Sequence, residues 1–375
     1  MKREIFNKIV SDLQRKIVFL SGPRQVGKTY LSRNIMSKFE KPRYLNYDNL
    51  LERKVVLGQG WSVHTDLLVL DEIHKMPDWK NYLKGVWDSR TERLKILVTG
   101  SARLEVFRQS GDSLAGRYFH HRLLPVTLAE AATVNEQFSL SHLINRGGFP
   151  EPLLASSDDD AGRWRRLYAD GLIREDILTI DNIHQFKAMT LLVELLRLRV
   201  ASPLSYQSLA EDIGVAPNTV KHYIDILEAL YIVFRVYPFH RSITRSIRKQ
   251  PKFYFFDNGM VKGDEGAMFE NLVAVSLLRQ LYLLEDRDGK RRQLFYLRTR
   301  EGKEVDFLVA EEDQPILMVE AKNTERRISQ GLSHFSKKYG YKGVQVVRDL
   351  NVENESGILH LRRADEWLKF EDILN

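Results

Sequence analysis

A segment near the start of the chain combines glycine, lysine and threonine at a spacing suited to holding phosphate. It reads GPRQVGKT from Gly22 to Thr29, follows the apolar run KIVFL and leads into a helical pattern. Glycines at both ends let the backbone surround an anion with N–H groups; Lys28 can reach the β and γ oxygens, and the Thr29 hydroxyl can bind Mg²⁺. We predict a nucleotide site made of Gly22, Pro23, Arg24, Gln25, Val26, Gly27, Lys28, Thr29 and Tyr30.

Two adjacent carboxylates follow the next apolar run. Residues 66–70 read DLLVL, which is typical of a strand buried on both faces, and Asp71 and Glu72 come directly after it. Downstream of a phosphate loop, Asp71 is placed for the Mg²⁺ shell, and Glu72 is placed to orient or deprotonate the attacking water. A strand that merely ends in solvated acids is the alternative.

Small hydroxyl side chains follow a third apolar run, which covers residues 94–98. The carboxyl ends of parallel strands share one edge of a sheet, so Thr99 and Ser101 should lie beside the phosphate loop. We predict Ser101 as the sensor of the γ-phosphate. Thr99 is the alternative sensor, and helix capping is the alternative role for Ser101.

Arg117 follows a glycine in the segment SLAGRY and precedes an amphipathic strand pattern. An arginine can stabilise the charge that develops during phosphoryl transfer, either in its own chain or in a neighbouring copy. Both positions are open for Arg117, and so is a plain surface location.

The last third of the chain holds a second group of charged residues. The strand pattern ILMVEAKN places Glu320 and Lys322 on one face, and VDFLVA places Asp306 on the strand before it. Glu270 lies early in an apolar helical pattern upstream. These carboxylates suit an oxygen-ligated Mg²⁺ or Mn²⁺. An internal ion pair between Glu320 and Lys322 is the alternative.

The elements between these two groups are predicted to be helical and then β-rich. Residues 161–200 show helical spacing, and residues 204–230 read as two helices separated by a turn at Gly214, a helix-turn-helix signal. Two β-rich runs joined by a basic loop then suggest a wing.

The wing region is strongly basic. Between Arg235 and Lys252 the sequence has six Lys or Arg and no Asp or Glu. A strip of this kind can contact nucleic-acid phosphates, while a winged helix used only for packing between domains is the alternative. The predicted nucleic-acid contacts are Arg241, Arg245, Arg248 and Lys249.

Composition narrows the class of protein. The chain has 375 residues, which exceeds one ordinary core, and no cysteine, which excludes disulfides, thiolate zinc sites and cysteine nucleophiles. Lys plus Arg total 57 and Asp plus Glu total 50, an excess of 7 that permits phosphate-rich partners. No apolar run reaches the ~18 residues of a membrane span, so we predict a cytoplasmic protein that does not contact membranes.

The ordered set of motifs resembles one group of proteins. GPRQVGKT, LLVLDEIHK, ILVTGSARL, SLAGRYFHHRLLPVTLAEA and GGFPEP occur in this order. The set is similar to bacterial and archaeal AAA-type ATPases that carry a C-terminal domain of unknown function (DUF4143). The resemblance implies an ATP-binding α/β core, and it leaves the physiological task open.

A second resemblance concerns the C-terminal charged group. Glu in a helix, then Asp, then Glu-x-Lys resembles the PD-(D/E)XK nuclease core, although Val305 stands where that motif has proline. The resemblance implies metal binding by Asp306 and Glu320 with Glu270 as an accessory ligand. It also implies that Lys322 orients water or stabilises the reacting phosphate.

Together these patterns predict an α/β protein in four parts. They are a P-loop AAA-type domain with a parallel sheet (1–155), a helical linker or lid (156–202), a winged helix (203–260) and a restriction-endonuclease-like domain (261–375). The predicted function is ATP binding and hydrolysis coupled to the C-terminal module, with ATP or ADP, Mg²⁺, DNA and a second copy or another protein as partners. The alternatives are a nucleotide-gated endonuclease, a non-catalytic ATP-bound switch or scaffold, and a DNA-binding regulator.

Overall fold

The computed structural model describes residues 1–100, 114–135, 138–177, 183–240 and 249–369, with backbone alone at 170, 173–177 and 183–185. The chain divides into two compact units, Met1–Leu124 and Pro125–Asn375. We call them the first and second units. The domain boundaries predicted at residues 155, 202 and 260 stay predictions.

The first unit is built on a parallel sheet. Its strands are β1 (Ile17–Ser21), β2 (Pro42–Asn46), β3 (Leu67–Asp71), β4 (Lys95–Thr99) and β5 (Tyr118–Arg122), in the order β2-β3-β4-β1-β5. All five residues of β1 and of β3 are buried, as expected when both faces of a parallel sheet are covered. The three apolar runs predicted to be strands are confirmed within one residue.

Helices pack on this sheet and fix the position of the edge at which its strands end. They are α1 (Phe6–Leu13), α2 (Lys28–Met36), α3 (Leu50–Leu57) and α4 (Trp79–Ser89). One core joins alternate strand residues to these helices: Leu68 and Leu70 of β3 pack with Val56 of α3 and with Leu83 of α4. Burial of each such side chain contributes roughly 1.5–3 kcal/mol, which fixes the strand ends that carry the polar residues.

The second unit begins with helices. They are α5 (Leu128–Ala132), α6 (Leu140–Arg146), α7 (Pro150–Leu153), α8 (Asp158–Ile177), α9 (Ile183–Leu198), α10 (Tyr206–Ile213) and α11 (Pro217–Ala229). Gly214 ends α10 in the left-handed region at φ 77°, and Pro217 opens α11. Glycine there and proline at the first helical position are the signals from which the helix-turn-helix was predicted.

An eight-stranded sheet completes the second unit. Its strands are β6 (Val233–Pro238), β7 (Lys252–Phe255), β8 (Arg292–Arg298), β9 (Glu304–Glu311), β10 (Gln314–Lys322), β11 (Gly343–Val347), β12 (Asn354–Ser356) and β13 (Leu359–Arg363). The order is β12-β13-β11-β10-β9-β8-β6-β7, so the strand pair predicted as a wing is continuous with the C-terminal sheet. Helices α12 (Glu265–Asp288), α13 (Gln330–Tyr339) and α14 (Ala364–Trp367) belong to the same unit.

Helix α12 is 24 residues long and largely apolar. By length and composition it is able to cross a membrane, with a mean hydropathy of 1.2 over its most apolar window, yet 67% of that window is buried inside the protein. It packs against β7, β8 and β10, which makes it the core helix of the second unit. The cytoplasmic location stays a prediction.

Candidate functional site

The backbone of the predicted phosphate loop depends on its glycines. Gly22 has φ 149°, and a Cβ there would lie 2.1 Å from the carbonyl oxygen of Leu123. Gly27 precedes α2 in the left-handed region at φ 101°, which turns the loop into the helix. The loop therefore follows a buried strand and ends at a helix N-terminus, where the first N–H groups have no partner within the helix and can bind an anion.

We expect Gly22→Ala to destabilise the first unit by about 2 kcal/mol or more and to abolish nucleotide binding, because the added methyl overlaps backbone. Denaturant unfolding and titration with a fluorescent ATP analogue measure the two effects. Gly85→Ala in α4 is the matched control: a Cβ there meets nothing within 4 Å, so stability should stay the same or rise by up to about 1 kcal/mol. A Gly22→Ala chain with wild-type stability and binding would contradict this account of the loop.

Lys28 lies inside the loop. It is only 8% exposed, and its Nζ donates to the carbonyl oxygens of Gly22 at 2.9 Å and Pro23 at 2.6 Å. Burial lowers the pKa of Lys28 to about 8, while Glu72 and Asp71 oppose that shift. The ammonium is thus held at the loop and interacts with both predicted carboxylates.

Asp71 lies in a hydrogen-bonded chain of side chains. The Thr99 hydroxyl donates to its Oδ1 and the Tyr44 hydroxyl to its Oδ2. Burial and Asp71 raise the pKa of Tyr44, which also has a side-chain hydrogen bond with Thr29. Tyr44 therefore connects Thr29 with Asp71, the two residues predicted to bind Mg²⁺. Sequence reasoning missed Tyr44, whose strand β2 lacks an apolar run.

Glu72 follows Asp71 in an unusual backbone conformation. Its φ of 57° is left-handed, which is uncommon outside glycine and clusters at functional sites. Its N–H donates to the carbonyl oxygen of Thr99, and its Oε2 lies 3.5 Å from His74 Nε2 and 3.6 Å from Lys75 Nζ. Burial raises the pKa of Glu72, against the opposing effect of Lys75.

These residues fit a nucleoside triphosphate and its magnesium ion. The loop offers backbone amides and a buried ammonium, Thr29, an exposed residue at the start of α2, offers a hydroxyl, and Asp71 offers a carboxylate. Oxygen ligands are what Mg²⁺ requires, and amides with lysine are what phosphate requires. Ser101 lies outside the described residues. The alternative sensor Thr99 already donates to Asp71.

The structure places Arg117 away from this group. Its carbonyl oxygen accepts from the N–H of Ile17 at the start of β1, whereas the phosphate loop follows the end of β1. Five residues of strand separate the two edges by roughly 15 Å, beyond the reach of an arginine side chain. Its Nε lies 3.0 Å from Asp88 Oδ1. Within its own chain, Arg117 therefore does not reach the loop.

In the second unit the predicted C-terminal residues do converge. Asp306 Oδ2 accepts from the N–H of Ala321 at 2.9 Å, and Glu320 Oε2 lies 3.4 Å from the N–H of Asp306. Lys322 Nζ lies 3.0 Å from Glu320 Oε1. Strands β9 and β10 thus bring together the three residues that sequence spacing placed on adjacent strands.

Lys252 corrects one part of the sequence prediction. It was counted among the basic residues of the wing, but it is 1% exposed and points into the carboxylates. Its Nζ lies 2.7 Å from Glu304 Oε1, 3.2 Å from Glu270 Oε1 and 3.8 Å from Asp306 Oδ1. The signal in the sequence that could have revealed this position was a lysine directly before an aromatic run: all four residues of the strand KFYF are buried.

The surroundings of Lys252 disfavour the ionised form of two of the acids and favour the charged form of the lysine. Burial, with Asp306, raises the pKa of Glu320 to about 8 and that of Glu270 to about 7. Burial acts to lower the pKa of Lys252, but Glu270, Asp306 and Glu304 more than reverse this and raise it. The surrounding carboxylates therefore stabilise the charged form of Lys252.

The predicted metal does not fit this arrangement. Across the described parts of the chain, no group of three or more His, Cys, Asp or Glu is arranged to hold a metal ion. The Lys252 ammonium occupies the space between three of the carboxylates, and a divalent ion about 4 Å from it would be repelled by about 8 kcal/mol at an effective dielectric constant of 20, which cancels the attraction of one carboxylate at that distance. We therefore call these residues the Lys252 cluster and derive no metal chemistry from them. The set is Lys252, Tyr254, Glu270, Glu304, Asp306, Glu320 and Lys322.

The predicted nucleic-acid strip is only partly described. Arg241, Arg245 and Arg248 lie outside the described residues, and Lys249 is exposed. Arg235, counted in the same basic stretch, is ion-paired with Glu228 and with Asp225 at 2.8 Å. DNA contact by the other four residues stays a prediction.

Sequence-family comparison finds three consecutive domains. Residues 14–132 match the AAA domain (AAA_14), residues 137–263 a domain of unknown function (DUF8612), and residues 265–362 a domain of unknown function (DUF4143). The AAA and DUF4143 domains are therefore present, as the order of motifs predicted. The P-loop fold of the first unit implies a nucleotide and, as is typical of it, Mg²⁺.

Similar proteins extend over most of the chain. An uncharacterised protein of Mycobacterium tuberculosis is 26% identical over 310 residues, covering 80% of this chain and 68% of that protein. One of Methanocaldococcus jannaschii is 24% identical over 390 residues, covering 94% and 83%. Among solved structures, a Walker-type ATPase of Pyrococcus abyssi is 14% identical with a TM-score of 0.44, covering 72% of this chain and 95% of that one.

Proposed function

We propose that this chain, which carries an AAA domain and a DUF4143 domain, binds ATP with Mg²⁺ at the loop Gly22–Thr29 and hydrolyses it. The observation that supports this most strongly is the network at the carboxyl edge of the first sheet. There a buried lysine interacts with Asp71 and Glu72, and Tyr44 bonds both Asp71 and Thr29.

Each residue of this network has a part in the proposed reaction. The loop amides and Lys28 bind the β and γ phosphate oxygens and stabilise the charge that develops on them. Thr29 and Asp71 would hold the magnesium ion, which would supply charge that neutralises the phosphates. Glu72 accepts a proton from the attacking water and aligns it with the γ-phosphorus.

The test of this function is phosphate release by the full-length chain. We expect ADP and phosphate to form in equal amounts, with turnover lost when EDTA removes magnesium. Chain that retains ATP with Mg²⁺ for hours and releases no phosphate would instead support the alternative of an ATP-bound switch or scaffold.

We propose further that Arg117 acts on ATP bound by a neighbouring copy, because the phosphate loop of its own chain lies at the opposite edge of the sheet. We expect Arg117→Ala to reduce turnover by about 10³-fold while ATP affinity changes little. Phosphate release and a fluorescent-nucleotide titration check the two quantities. Because Arg117 contacts Asp88, Asp88→Asn is the control for the loss of that ion pair alone.

A mixing experiment separates action between copies from action within one chain. Arg117→Ala chain is combined with Glu72→Gln chain, each nearly inactive alone. If Arg117 serves the neighbouring site, mixed assemblies contain sites with both residues intact, and activity returns. Absence of recovery at every ratio, with both variants folded, would refute this role.

Nucleotide state is proposed to control the second unit, as predicted from the presence of both domains in one chain. This coupling is measured as a change in hydrogen exchange of the second unit between the ATP-bound and ADP-bound chain. Equal hydrogen exchange in both states would contradict the proposed coupling without contradicting the proposed ATPase activity.

A further inference from the structure

The acids of the Lys252 cluster are arranged around a cation, and that cation is the Lys252 side chain itself. Three carboxylates, from Glu270 of α12 and from Glu304 and Asp306 of β9, surround the Lys252 ammonium at 2.7 to 3.8 Å. Lys322 Nζ lies 3.0 Å from Oε1 of the fourth acid, Glu320. Each carboxylate therefore already faces a fixed positive charge.

We propose that Lys252 is a built-in replacement for the divalent metal ion of a nuclease-like centre, so that this centre stabilises the fold without metal and does not cleave nucleic acid. The ammonium supplies a single charge and hydrogen-bond donors. It supplies neither an open coordination position nor an activated water, both of which metal-assisted hydrolysis requires.

The position of Lys252 in the chain gives the cluster a structural task. It lies on β7, the last strand of the sheet, whose partner β6 follows the helix-turn-helix. The next inward-facing residue of β7, Tyr254, donates to Glu270 at 2.7 Å. Lys252 and Tyr254 thus connect the strand pair after the helix-turn-helix to helix α12 and to β9.

A second contact reinforces the same connection. The N–H of Phe255 donates to Asn271 Oδ1 at 2.7 Å, and Asn271 Nδ2 donates to the Phe255 carbonyl at 2.9 Å. Asn271 is fully buried on α12, one residue after Glu270. An edge strand exposes unpaired backbone groups, and this side chain pairs those of Phe255. We therefore expect strands β6 and β7, which follow the helix-turn-helix, to unfold together with the C-terminal sheet as one cooperative unit.

The proposal predicts that the full-length wild-type chain does not bind Mn²⁺ at this cluster. Mn²⁺ titrations of wild type and of Asp306→Asn are compared by calorimetry and by electron paramagnetic resonance, so that binding at the phosphate loop is common to both. We expect identical titrations. One additional bound ion in wild type that Asp306→Asn lacks would overturn the proposal.

Removing the internal cation should convert the cluster into a metal site. We expect Lys252→Met, which removes the charge and keeps all but the last atom of the side chain's length, to lower the unfolding temperature of the second unit by about 5 °C or more. Millimolar Mn²⁺ should restore much of this loss, and adding Asp306→Asn should abolish the restoration. Lys290→Met is the matched control, because that lysine forms an exposed pair with Glu311 at 3.0 Å.

Two outcomes would contradict the structural role directly. One is a Lys252→Met chain that unfolds at the wild-type temperature. The other is nicking of supercoiled plasmid by wild-type chain with Mg²⁺ or Mn²⁺ that Asp306→Asn abolishes. Both are independent of ATP turnover, so failure of this proposal is distinguishable from failure of the proposed ATPase activity.

Discussion

The Lys28→Ala chain is expected to hydrolyse ATP at least about 10³-fold more slowly than wild type and to bind it more weakly. Lys28 Nζ lies at the carbonyls of Gly22 and Pro23 in the phosphate loop, so its loss removes a charge placed to face the β and γ oxygens of bound ATP. Alanine also leaves the carbonyls of Gly22 and Pro23 without this donor.

Phosphate release and fluorescent-nucleotide binding measure this effect. Lys84→Ala is the control, because that lysine is exposed on α4. Its turnover and affinity should match wild type. A Lys28→Ala chain that turns over at an unchanged rate would place hydrolysis somewhere other than this loop.

The second large effect is expected for Glu72→Gln, which should keep ATP affinity and lose turnover by roughly 10²- to 10⁴-fold. Glutamine retains the size of the side chain and its contacts near His74 and Lys75, but it cannot accept a proton from water. The variant should therefore trap bound ATP.

Separation of binding from turnover is the signature that distinguishes Glu72 from a merely structural residue. Chain recovered after incubation with ATP and Mg²⁺ should contain intact ATP in the variant and ADP in wild type. Glu92→Gln, an exposed acid in the turn before β4, serves as the control and should behave as wild type. Loss of affinity in Glu72→Gln equal to its loss of turnover would argue against a role as the proton acceptor.

Much of the first unit was predictable because its signals are local. A parallel strand buried on both faces has a sequence that is an apolar run; β1 and β3 each have an uninterrupted one, and β4 has one that contains Lys95 near its start. The polar residues that follow these runs then fall at one edge. This reasoning placed Lys28, Asp71 and Glu72 together, and it placed Thr99 beside them.

The position of Arg117 followed from the same topology, yet motif reading left it open. Strand β5 pairs with β1 in parallel, with Ile17 opposite Tyr118. Any residue just before β5 must therefore lie at the amino edge, on the far side of the sheet from the loop. Strand order was the missing information, and spacing along the sequence does not contain it.

Non-local contacts account for what the sequence did not reveal in the second unit. The pairing of β6 with β8 joins segments separated by the whole of α12, and it merges the predicted wing with the C-terminal sheet. Lys252 was counted as a wing residue since its sequence neighbours are basic. Its partners Glu270 and Glu304 are distant along the chain, and only the folded sheet brings them to it.

The most direct test of the central claim is a crystal structure of the full-length chain with Mg²⁺ and a non-hydrolysable ATP analogue. We expect the β and γ phosphates to lie within the backbone amides of the loop and in contact with Lys28. The magnesium ion should be bound by the Thr29 hydroxyl and lie close to Asp71, with Glu72 facing the γ-phosphorus. Phosphates bound elsewhere, or an ordered loop without them at saturating analogue, would contradict the account.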